Sequence, residues 1–236
     1  MLLRQLLCGF WRQHRWRALL TSFEERIKPR YHRDLRRHFI ARPLLPDAPW
    51  TAEEMAAADE EIRGGFLFLR RAKGQRIDPD RVLDRVEFAA RVYGIRVVAI
   101  DPINELTLRP PPGQSKTDYL GDFIMDLKDL GEDYGLLTIV VVHPPKDSTE
   151  RRLARNGILT LNDGADTGHW GNKSDIGWCI WRDMDGPTIL NVDKLKDHET
   201  MGRPTIAELE LDKALSRFCV RRLGPGVLRK ERAGDE

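Results

Sequence analysis

The strongest constraint in this 236-residue chain is a pair of continuous apolar runs, VVAI at 97–100 and LLTIVVV at 136–142, each closed by a polar side chain, Asp101 and His143. A strand with one wet face alternates apolar and polar residues; a run without alternation has no wet face and belongs in a parallel sheet covered by helices on both sides. The intervening segments agree. Asp78 to Tyr93 and Thr117 to Tyr134 carry apolar residues at helical spacing and stop at Gly94 and Gly135, the residue type that takes left-handed backbone at a helix end. Asp101, a carboxylate at the C-terminal end of such a strand, falls where sheets of this kind place ligands.

The same alternation reaches back to the start. Leu2, Leu3, Leu6, Leu7, Phe10 and Trp11 recur at helical spacing, and Arg4, Arg12, Arg15 and Arg17 interrupt every apolar run, which excludes a membrane span there. WRALLTSFE (16–24) reads as a short strand, and Ile27 to Phe39 as a helix with a basic exposed face. After a Pro-containing linker at 41–50, Thr51 and Glu54 predict a capping box for a helix to about Arg63, and FLFLR (66–70) reads as a strand. Beyond an aperiodic stretch at 144–172, IGWCIWR (176–182), TILNVDKLK (188–196), IAELELD (206–212) and SRFCVRR (216–222) read as strands joined by short turns such as MDG and DKA. The expected fold is α/β: a mostly parallel sheet flanked by helices on both faces, extended by C-terminal antiparallel hairpins, over residues 1–222. A flexible polar tail is expected at 223–236.

Composition narrows little. Lys and Arg number 39 against 37 Asp and Glu, so any basic patch must be local. Cys8, Cys179 and Cys219 stand far apart without CxxC spacing, which argues against a disulfide framework or a zinc site and suits a reducing cytoplasm. His143, Asp166 and His169 lack the spacing of a local metal cluster, and Asp183 and Asp185 sit in WRDMDGPT, a hairpin-turn signal rather than a metal-binding pair.

Glu24, Asp101 and His143 each close an apolar strand, so a parallel sheet sets them on one rim. Phosphoryl transfer wants that combination: a carboxylate for Mg²⁺ or its waters, a group that positions the attacking water, and a polar sensor beside the γ-phosphate. Asp101 suits the first role, Glu24 the second and His143 the third. Taken singly, each is equally a polar strand end reaching solvent.

Six segments carry a family likeness: SFEERIKPRYHRDL (22–35), VVAIDPINEL (97–106), TDYLGDFIMDLKDL (117–130), TIVVVHPPK (138–146), GHWGNKSDIGWCIWRD (168–183) and NVDKLK (191–196). In this order and spacing they resemble the RecA-like ATPase domain of DnaB-type hexameric helicases, especially the helicase part of phage and plasmid primase-helicases, over about residues 1–220. Recombinase and circadian-clock ATPases share the core, but the PxNEL and HPPK pieces are closer to the helicases. The resemblance implies a catalytic glutamate at Glu24, a Walker B aspartate at Asp101, and at His143 the residue that couples phosphate state to the DNA-binding loop. It makes Lys194 and Lys196 cations that reach a neighbouring subunit's site. Lys196 stands where the family usually has arginine, a weaker phosphate clamp because it lacks the bidentate fork. Lys146, Arg151, Arg152, Arg155 and Lys173 would track single-stranded DNA, with Trp170 as aromatic surface, while Asn172 and Asp175 shape the turn. ATP and Mg²⁺ are the implied cofactors. The implied partners are single-stranded DNA and like subunits in a ring, a hexamer by the family pattern, with no membrane and a cytoplasmic location.

One departure is an absence. Nothing in the 236 residues matches GxxxxGK[ST], the loop that cradles the β- and γ-phosphates and in this family precedes the helix that MLLRQLLCGFW resembles. The chain is therefore expected to begin just after its Walker A motif and to be a poor ATPase alone. A mis-assigned start, a gene fragment and a degenerate remnant fit alike, and the alternative function is a non-catalytic RecA-like module that binds DNA or subunits.

Overall fold

A computed structural model describes residues 1–22, 31–70, 77–145, 158–164, 168–182 and 186–225. They form two compact units: Met1–His143 with Asp212–Arg217, and Pro144–Leu211 with the strand from Phe218 onward.

The first unit begins with helix α1 (Leu2–His14), strand β1 (Ala18–Ser22) and helices α2 (His32–Ile40) and α3 (Ala52–Gly65). Strand β2 (Phe66–Leu69), helix α4 (Pro79–Tyr93), strand β3 (Val97–Asp101), helix α5 (Lys116–Tyr134) and strand β4 (Leu137–Val140) follow. The four strands run parallel in the order β2-β1-β3-β4, with Ser22 opposite Asp101 and Ile100 opposite Val140. Every residue of β1 and the first four of β3 are buried, as non-alternating runs require. Ala18, Leu20, Val97 and Ala99 pack with Leu7 and Cys8 of α1, Leu35 of α2 and Ile62 of α3. Leu19, Val98 and Ile100 point to the opposite face and are just as buried. The apolar stripes Val82, Val86 and Ala89 of α4 and Leu120, Phe123 and Leu127 of α5 provide the second covering layer.

The helix ends form as their sequences dictate. Thr51 Oγ1 accepts the Glu54 N–H while Glu54 returns a carboxylate oxygen to the Thr51 N–H at 2.8 Å, completing the capping box. Asp78 caps α4 ahead of Pro79, and Gly94 and Gly135 stop α4 and α5 at φ 60°. The second apolar run behaves differently from expectation. It forms a strand only over Leu137–Val140, and all four residues are half-buried because β4 is at the sheet edge among the described strands.

The second unit holds a short 3-10 turn (Leu161–Asp163), helix α6 (His169–Lys173), strands β5 (Ile176–Arg182) and β6 (Thr188–Leu195), and helix α7 (His198–Met201). Strands β7 (Thr205–Asp212) and β8 (Arg217–Pro225) complete it. The four strands make an antiparallel sheet in the order β5-β6-β7-β8. The expected hairpins thus form, hydrogen-bonded as a sheet of their own rather than added to an edge of the parallel one. The aperiodic stretch is also less irregular than its composition implies, since it contains the 3-10 turn and α6. Gly177 is required where β5 bulges, because a Cβ there would lie 2.1 Å from Leu161 Cδ1.

Candidate functional site

In a parallel sheet all strand C-termini share one rim, and in the first unit that rim carries Ser22, Asp101 and the chain leaving β4. After Asp101 the backbone turns through a 3-10 segment, Ile103–Glu105, whose Ile103 N–H donates to the Val141 carbonyl at 3.0 Å. That turn places Asn104 so that its side-chain oxygen accepts the His143 N–H at 3.0 Å. Asp101 and His143, far apart in the sequence, are therefore tied to one short turn. His143 is exposed and Asp101 half-buried, as suits groups that meet a ligand. Glu24, the third residue expected here, lies outside the described residues, although the last described residue of β1, Ser22, is the register partner of Asp101.

The start of α1 reaches the same neighbourhood. Burial and the Arg4 guanidinium lower the pKa of the Met1 amine, while the Asp101 and Asp34 carboxylates oppose them. Burial likewise pushes the Tyr31 hydroxyl up, against the pull of Arg4, whose guanidinium lies 4.0 Å over the Tyr31 ring and 2.6 Å from Asp34. Arg4, Tyr31 and Asp34 are buried, and sequence reasoning passed over all three. The signal was present: Arg4 shares the helical face of Leu7 and Cys8, and Asp34 that of His38, so neither charge reaches water without a partner. Asn104 was missed too, although an Asn in the turn after a strand commonly bonds nearby backbone.

The other expected site residues divide. Lys194 Nζ donates to the Gly171 and Asn172 carbonyls at 2.8 and 3.2 Å, and Lys196 Nζ lies 3.2 Å from Asp175, all in the second unit. Lys173 closes α6. Lys146, Arg151, Arg152 and Arg155 fall outside the described residues, as do Asp166, Asp183 and Asp185. Trp170 is corrected: it is 8% exposed, with Gly164 against its ring edge, so it is a packing residue and no stacking platform. Among the described residues no three His, Cys, Asp or Glu side chains group to hold a metal, and no helix is long and apolar enough to cross a membrane.

The parallel sheet with an acidic rim, the helices on both faces and the antiparallel strands define a RecA-like fold of the helicase ATPase type. More particularly, it is the fold of DnaB-like replicative helicases. The solved ATPase domain of one such helicase superposes with a TM-score of 0.68 at 16% identity, over 91% of this chain and 80% of that one. A second DnaB-like replicative helicase, solved in a study of its interactions with primase, gives 0.66 at 17% identity, over 86% and 50%. In sequence the chain is similar to the chloroplastic/mitochondrial Twinkle homolog protein of Arabidopsis thaliana, 27% identical over 195 residues. That match takes in 78% of this chain and spans only 27% of the relative. No protein-family model matches.

Proposed function

We propose that the chain is the ATP-hydrolysing motor domain of a replicative DNA helicase or primase-helicase, coupling hydrolysis to movement along single-stranded DNA. The observation that supports it best is Asp101 at the C-terminal end of β3, opposite Ser22 and joined through the Asn104 turn to His143. A lone carboxylate suits Mg²⁺ that arrives with the phosphates and keeps most of its waters, whereas a cation caged by protein needs several carboxylates. When bound, the ion would offset the negative charge of the phosphates. Asp101 then holds its waters, Glu24 orients the attacking water and accepts its proton, and His143 reports the γ-phosphate to the segment that follows it. The start of α1, within the field of Asp101, offers N–H groups that favour an anion there. Lys196, with a side chain 68% exposed and only a surface ion pair to break, is the more available of the two trans-acting lysines.

The test is Mg-ATP hydrolysis by residues 1–236 alone and by the chain extended through upstream coding sequence that supplies a GxxxxGK[ST] loop. Negligible turnover is expected from the first. The second should show DNA-stimulated turnover that Asp101→Ala lowers by about a hundredfold or more. Turnover indifferent to Asp101→Ala overturns the assignment, and an extended chain that binds DNA without hydrolysing ATP selects the non-catalytic module.

A further inference from the structure

Helix α6 is five residues long, too short to be held by its own hydrogen bonds. Its C-terminal carbonyls are taken by side chains. Ser174 Oγ donates to the Trp170 carbonyl at 2.6 Å, and Lys194 Nζ to those of Gly171 and Asn172. A cation is the favourable partner for a helix C-terminus, where the peptide dipoles leave partial negative charge. Lys194 belongs to β6, an interior strand paired on both sides, so the ammonium is presented from a rigid support. Neighbouring β6 side chains fasten the rest of the segment. Asn191 Nδ2 donates to the Leu159 carbonyl at 3.0 Å, and Asp193 accepts the Leu161 N–H at 3.0 Å. Just beyond β6, the Lys196 N–H donates to the Asp175 carbonyl at 2.8 Å.

We propose that Lys194 is a positioning residue for DNA binding: from β6 it fixes the backbone of α6, and so the place from which Lys173 meets a DNA phosphate, without touching DNA itself. This rests on the proposal that the α6 segment meets single-stranded DNA and departs from the role expected for Lys194 as a cation toward a neighbouring nucleotide. A residue that touches phosphate and one that only positions the toucher differ in salt dependence. Each phosphate contact on a single strand contributes about 0.7 to the slope of log affinity against log salt, so losing a contact flattens the slope. Losing a positioner weakens binding at unchanged slope.

The experiment takes residues 1–236 with Lys194→Met, Lys194→Arg and Lys173→Met. It measures oligo(dT) affinity by fluorescence anisotropy across a salt series, amide exchange by mass spectrometry, and the thermal midpoint. Lys194→Met should speed exchange at 169–175 by about tenfold and weaken oligo(dT) binding several-fold with the slope kept, and Lys194→Arg should restore part of both. Lys173→Met should flatten the slope and leave exchange native. The proposal is overturned if Lys194→Met leaves exchange native, if it flattens the slope as Lys173→Met does, or if it lowers only the thermal midpoint. A wild-type chain that binds no oligo(dT) removes the DNA role and with it the coupling, while the exchange data separately decide whether Lys194 holds α6.

Discussion

The two sheets are stabilised in different ways. In the first unit β1 and β3 are sealed on both faces, with Leu20, Val97, Val98, Ala99 and Ile100 at 0% exposure, so removal of apolar surface from water is the main stabilising force. In the second, Ile176, Trp178 and Ile180 alternate along one face of β5 at 42–45% exposure, and order in the adjoining segment comes from side chains of β6 bonded to backbone at 159–172. Hydrophobic burial acts cooperatively over a whole layer; a few directed hydrogen bonds hold only what they touch. A rim that must present Asp101 unchanged through a reaction cycle belongs on the first kind of scaffold, and a segment that responds to a partner belongs on the second.

The widest separation between the units should appear on truncating one apolar side chain in each. Leu20→Ala is expected to cost about 2–5 kcal/mol, the transfer of the lost atoms plus the cavity left in a packed layer. Ile180→Ala, already in water on its strand face, should cost about 0.5 kcal/mol or less. Urea unfolding followed by far-ultraviolet circular dichroism checks both, and an equal loss at Ile180 would mean that the β5 face is covered in solution.

The unequal legibility of the two units in the sequence has the same cause. Periodicity reports burial, so β1, β3, α4 and α5 were readable from apolar spacing, and the caps at Thr51, Asp78, Gly94 and Gly135 from residues with few other uses. The C-terminal rim followed from strand direction, which is why Asp101 closes β3 and His143 follows the adjacent β4. Two kinds of feature escaped. Half-burial of β4 depends on its place at an edge, which a continuous apolar run does not encode. The contacts that order 158–175 link residues more than twenty positions apart through single polar atoms, as in Lys194 to Gly171 or Asn191 to Leu159, and polar residues in an aperiodic stretch carry no mark of their partners. Trp170 misled for the same reason: its aromatic type fitted a base-stacking surface, while its burial involves the close approach of Gly164.

A smaller effect tests whether the interior of the first unit tolerates charge. His38 on α2 is 7% exposed, and burial, reinforced by Arg12 and opposed by Asp34, lowers its pKa from 6.5 to about 4. The folded value lies below the unfolded one, so the neutral imidazole is favoured on folding. Its stabilisation is complete above pH 6.5 and is lost as the pH falls from there through about 4. The whole loss is of order 3 kcal/mol. His38→Leu should remove that part of the pH dependence, seen as a flatter curve of unfolding free energy between about pH 7 and pH 4. A wild-type curve already flat over this range would show that His38 is hydrated.

The smallest effect places one local device in both units. Thr51 and Glu54 cap α3 by a reciprocal pair of bonds, and Thr160 and Asp163 close the 3-10 turn in the same way, with Asp163 2% exposed. Thr51→Ala and Thr160→Ala each remove one cap, worth about 1 kcal/mol. The losses should be read in different places. Because α3 sets Ala58 and Ile62 into the first core, the Thr51 loss enters global unfolding and lowers the urea midpoint. The turn at Thr160 is held by separate bonds to β6, so its loss should appear as faster amide exchange at 158–164 and 168–175 with the global midpoint nearly unchanged. If Thr160→Ala lowers the global midpoint as far as Thr51→Ala does, the two units unfold as one cooperative body, and a segment fastened by β6 side chains cannot loosen while the acidic rim stays intact.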